Sequence, residues 1–111
     1  MNNDLFFYLF NNFIGGADDD EMSMNYLNLD LNNDNSLCKF LQHEIIPFYE
    51  ANFSLTQKED LNTLLVKLES GEIELEVNEF ENQLFPFETP NNLHNFCKSI
   101  KNVLFEHKIS D

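Results

Sequence analysis

Between Glu72 and Phe80 acidic and apolar residues alternate with period two, Glu-Ile-Glu-Leu-Glu-Val-Asn-Glu-Phe. That period predicts a strand with Ile73, Leu75 and Val77 toward a core and Glu72, Glu74 and Glu76 outward. Outward side chains two apart on a strand are ~6.6 Å apart, so the three carboxylates would form a solvated row. A second alternation sets Leu27, Leu29 and Leu31 against Asn28 and Asp30 and predicts a strand over 22–31. Met22, Met24 and Tyr26 fall on the other parity, so a bulge near Tyr26 is expected.

Elsewhere the apolar spacing is helical. Leu5, Phe6, Leu9, Phe10 and Phe13 predict a helix capped by Asn3 or Asp4 that runs to about Ile14 and is stopped by Gly15-Gly16. The acids from Asp18 to Glu21 then read as a loop. Ser36 is expected to cap a helix through Leu37, Phe40, Leu41 and Ile45, which Pro47 should kink or end. Thr56-Gln57-Lys58-Glu59 reads as a capping box ahead of Leu61, Leu64, Leu65 and Leu68, with Ser70-Gly71 as the stop. Phe85-Pro86-Phe87 reads as irregular or as a sheet edge. Thr89-Pro90 is expected to open a last helix with Leu93, Phe96, Cys97, Ile100, Val103 and Leu104 inward, ending near His107 and Lys108. The sum is an α+β fold: a single small domain over 1–111, about four helices, and a small sheet containing the strands near 22–31 and 72–80. A mostly helical fold with one hairpin is the alternative.

Charge changes the functional picture more than the pattern does. Twenty acids face six lysines and no arginine, for a net charge of −14. Such a chain offers no basic patch to nucleic acid or to an anionic membrane surface. Its field instead steers cationic proteins toward it. The twelve Phe exclude a disordered acidic tail as the whole account, and most of them are expected in the core. A basic n-region is missing, Asp4 precedes the apolar run Leu5–Phe10, and no stretch approaches the ~18 apolar residues of a membrane span, so the expected location is cytoplasmic.

The sequence contains no catalytic motif, and no enzymatic activity, cofactor or metal site is expected of it. Asp30-x-Asn32-x-Asp34 begins like a calcium loop, but Asn35 and Leu41 stand where Gly and a bidentate Glu are needed. His94 and Cys97 have the spacing of half a zinc site, and Cys38 with His43 is poorly spaced to complete it. Cys38 and Cys97 read as small buried hydrophobes.

What remains is binding. The acids Asp18, Asp19, Asp20 and Glu21, with Glu72, Glu74 and Glu76, are the candidate contacts to Lys and Arg of a basic partner. Tyr26, or else Tyr8 or Tyr49, could serve as an aromatic anchor. In size, acidity and helical layout over 37–50, 56–68 and 91–108, and in Phe13-Ile14-Gly15-Gly16 followed by acids, the chain resembles the immunity proteins of bacterial toxin systems, including those of contact-dependent growth inhibition. The aromatic and His positions that follow the glycines in one such family are missing here. The resemblance implies neutralisation of a cognate basic toxin domain, often a nuclease, without direct contact to nucleic acid. The competing reading is a phage-type nucleic-acid mimic that inhibits a DNA-binding enzyme. A third is an adaptor whose acidity serves solubility.

Overall fold

In the computed structural model, which describes residues 3–106, every regular element is helical, and none of the described residues lies in a strand. Helix α1 is Asp4–Tyr8, followed by 3-10 turns at Asn11–Phe13 and Gly16–Asp18. Then come α2 (Asp20–Asn25), α3 (Asp34–Phe40), a π turn (Leu41–Ile45) and α4 (Ile46–Asn52). Helices α5 (Leu55–Ser70), α6 (Val77–Glu81) and α7 (Leu93–Lys101) follow, and a π turn at Asn102–Glu106 extends the last. The expected helical end at His107 and Lys108 lies outside the described residues.

The α+β expectation is therefore corrected, and both predicted strands fail for local reasons. Over 22–31, Asp19 takes the cap position of α2 and its Oδ1 accepts the Met22 N–H at 3.0 Å. Asp20 and Glu21 then occupy the first turn, where the helix dipole favours anions. The chain stays helical to Asn25 and turns thereafter, with Tyr26 N–H donating to Met22 O and Leu29 N–H to Tyr26 O. Leu27, Leu29 and Leu31 do not share a face: Leu27 is 72% exposed, Leu29 is half-buried and Leu31 is buried.

Over 72–80 the alternation reports burial correctly as far as Leu75. Ile73 and Leu75 lean half-buried on the core, and Glu72, Glu74 and Glu76 are exposed. Among the described residues no second strand lies alongside. Ile73 N–H donates back to Lys67 O at 3.2 Å, the Asn3 side chain reaches Glu74 O at 3.5 Å, and Glu79 Oε1 accepts the Glu76 N–H at 3.0 Å to start α6. Period two shows which side of an extended segment faces inward, whereas a sheet also needs a partner backbone within reach.

The core is built on α5, which packs against α7 and α1. Leu61, Leu64, Leu65 and Leu68 of α5 are buried, as are Phe96, Cys97 and Ile100 of α7 and Phe6 and Phe7 of α1. Ten of the twelve Phe are buried. Phe10 is their hub, with ring centroids 5.6 Å from Phe6, 5.7 Å from Phe85, 5.9 Å from Phe96 and 6.5 Å from Phe40.

Pro47 neither ends nor breaks its helix. The π turn before it takes in one extra residue, and Pro47 falls in the first turn of α4, where its missing N–H is not needed.

Candidate protein-binding surface

The acidic stretch 18–21 is held by its neighbours on both sides. Gly15 takes φ +79, where a side chain would be strained, and its N–H donates to Gln83 O at 2.8 Å. Ala17 N–H donates to Leu84 O, also at 2.8 Å. Between them Gly16 is packed so tightly that a Cβ would come within 2.5 Å of Met22 Sδ and 2.9 Å of Pro86 Cδ. Ser23 Oγ closes the arrangement by donating to Ala17 O at 3.0 Å. Asp18, Asp19, Asp20 and Glu21 are all exposed on this support, and among the described residues no salt bridge reaches them. The expected loop is thus a 3-10 turn leading into a capped helix.

The other acidic row is placed on a different element and is partly engaged. Glu72 pairs with Lys67 at 3.6 Å, a surface contact worth roughly 0–1 kcal/mol. Glu76 occupies the cap position of α6, and Glu74 is exposed, with its backbone carbonyl accepting from the Asn3 side chain. Asn3 also donates to Glu79 Oε1 at 3.2 Å, tying the start of α1 to α6. The two acidic stretches connect through α6 and the Gln83–Leu84 backbone.

All three tyrosines pack against phenylalanine rings. Tyr49 is buried against Phe53, with Lys58 Nζ 5.1 Å from its ring centre. Tyr8 is half-buried with its ring 4.9 Å from Phe53. Tyr26 is half-buried, 5.2 Å from Phe13 and 6.1 Å from Phe40. Burial and then the hydrogen-bonded Glu44 carboxylate hold its hydroxyl above the usual range. The exposed apolar groups beside it are Met24 and Leu27, at 73% and 72%.

A groove that sequence reading missed lies next to this support. The rings of Phe80, Phe85 and Phe87 and the side chain of Leu84 line a cavity of about 400 Å3 that carries Glu81 and Glu88. The signal was present as Phe85-Pro86-Phe87 followed by Glu88, with Glu81 four residues ahead, but burial of the rings and exposure of the acids could not be read from spacing.

Several of the residues tested for metal or thiol chemistry make structural contacts. Asp30 Oδ1 accepts the Asn32 N–H at 2.9 Å, and Asn32 Oδ1 accepts the Asn91 N–H at 2.8 Å. His94 Nε2 contacts the Glu69 carbonyl oxygen, and among the described residues no three His, Cys, Asp or Glu side chains converge. Cys38 and Cys97 are both free thiols. Cys97 is buried, and burial pushes its thiol from 9.0 up to about 12, away from the thiolate a nucleophile needs. With the folded value raised, the neutral thiol contributes stability that is whole below the unfolded 9.0 and is lost as pH rises toward 12. A thiol reagent at neutral pH should therefore titrate half-buried Cys38 in the folded protein and both cysteines in denaturant. Equal rates for both in the folded state would contradict the burial of Cys97.

Comparison with family models, curated proteins and solved structures finds no match to this chain. Among the described residues no helix is long and apolar enough to cross a membrane.

Proposed function

We propose that this protein is an immunity protein that binds a basic toxin domain and occludes its cationic site. The observation that carries the reading is the display of Asp18, Asp19, Asp20 and Glu21, unpaired with any lysine among the described residues, beside exposed Met24 and Leu27. A net charge of −14 raises the encounter rate with a cationic protein, and desolvated apolar contacts then slow dissociation. A toxin that acts on nucleic acid carries a positive cleft, so an acidic protein competes for the surface its substrate uses. Asp19 and Glu76 also cap helices, which fixes the surface they share with their neighbours.

The test is co-purification with the C-terminal domain of the product of the adjacent gene. A one-to-one complex with that domain, and none with other DNA-binding proteins, is the expected result. An acidic protein that binds several DNA-binding proteins and is displaced from each by duplex DNA would be a nucleic-acid mimic instead.

A further inference from the structure

We propose that the groove lined by Phe80, Leu84, Phe85 and Phe87 receives a lysine or arginine side chain of the basic partner, with Glu81 and Glu88 holding its charged head. This inference rests on the reading of the protein as an inhibitor of a basic protein and names the contact that reading lacks.

The groove matches that side chain in two ways. Its apolar surface is chiefly that of exposed Leu84, beside rings that are 1% to 7% exposed, and the aliphatic stem of Lys or Arg covers such a surface. Its charged groups are Glu81 and Glu88, both exposed, and among the described residues no cation lines it. A guanidinium or ammonium group at the groove would gain charge-assisted bonds to the carboxylates. The cavity beside Tyr26 differs in this respect, since Lys39 and His43 line it together with Glu44. A second copy of the chain is a poor occupant at −14 net charge per copy.

The backbone around the groove is fixed in place. Leu84 has φ +55, a conformation that costs a non-glycine residue roughly 1–2 kcal/mol, and its side chain is 49% exposed. The bond from Ala17 N–H to Leu84 O holds that residue against the support of the 18–21 acids, so the groove and the acidic run form one continuous surface.

Titration of the isotope-labelled full chain with a capped tetra-arginine peptide, followed by two-dimensional NMR at moderate salt, tests the assignment. The largest shifts are expected at Ala17, Glu81, Leu84 and Glu88. The double substitution E81Q/E88Q should weaken the peptide about fivefold, as two partly exposed charge contacts would. The control E59Q/D60Q, equal in charge but on the exposed face of α5, should change it by less than about twofold. Shifts spread evenly over all acids, or equal weakening by both pairs, would overturn the groove and leave only a general field. The shift map of the unsubstituted chain decides independently of whether any variant folds. The two proposals also fail separately. If the toxin domain binds E81Q/E88Q as well as the natural chain, the groove assignment falls and neutralisation stands. If the peptide seats in the groove and no toxin domain binds, neutralisation alone falls.

Discussion

Replacing Phe10 by alanine is expected to lower stability by about 3–5 kcal/mol, the range for deleting a buried aromatic ring. Phe10 is 0% exposed and touches rings from four other places in the chain: Phe6 in α1, Phe40 in α3, Phe85 after α6 and Phe96 in α7. No local collapse can refill a hole bordered by so many separate elements. A domain of this size has about 5–15 kcal/mol in total, so the variant should lose a large fraction of its stability. Thermal unfolding followed by circular dichroism should show a drop of at least ~12 °C, at about 4 °C per kcal/mol. The control Leu27→Ala, on a side chain 72% exposed, should stay within about 0.5 kcal/mol. A Phe10 variant as stable as that control would remove the aromatic hub from the account.

The second large effect concerns binding. Neutralising Asp18, Asp19, Asp20 and Glu21 together with Glu72, Glu74 and Glu76, each to its amide, removes seven of the twenty acids. The association rate with a basic toxin domain should fall by about 10- to 1,000-fold at low salt, the span attributed to electrostatic steering. The difference should shrink as salt rises, because exposed charges are screened beyond about 10 Å at 0.1 M. Fold is protected by design: asparagine caps a helix as well as aspartate does, so Asp19→Asn keeps the bond to the Met22 N–H. Loss of the Lys67–Glu72 pair costs little at the surface. Stopped-flow mixing at several ionic strengths reads the rate. If rate and affinity are both unchanged, these acids are a solubility device and the contact surface lies elsewhere.

The helical core was legible in the sequence because its signals were redundant. Leu61, Leu64, Leu65 and Leu68 repeat at helical spacing over a long helix, and Gly71 at φ +86 ends it where Ser70-Gly71 predicted. Caps were harder to locate. The expected Ser36, Thr56 and Thr89 gave way to Asn33, Ser54 and Asn92, whose side-chain oxygens accept the N–H three residues on at 3.0, 3.1 and 3.0 Å. Several cap-competent residues stand close together at each site, and local sequence does not rank them. The many asparagines, which in sequence carry no assignment, supply two of these caps and the Asn32 brace to Asn91.

The strands were misread because alternation reports only one-sided burial. At 72–76 that burial is real, but what lies beside the backbone is the Asn3 side chain rather than another strand. At 22–31 the leucines alternate by coincidence with a turn, and the Asp19 cap with its two following acids decides for helix. Of the candidate surface, the exposure of the acids was readable from charge alone. The half-burial of Tyr26 and the groove under Leu84 were not, since both depend on contacts between segments far apart in sequence.

Protection of living cells tests the central claim most directly. The C-terminal domain of the adjacent gene's product is expressed with and without this protein, at matched levels. The account predicts that the domain arrests growth alone and that co-expression restores it, while the variant lacking the seven acids restores it poorly. A domain that is harmless alone, or one whose toxicity this protein leaves untouched, would contradict it.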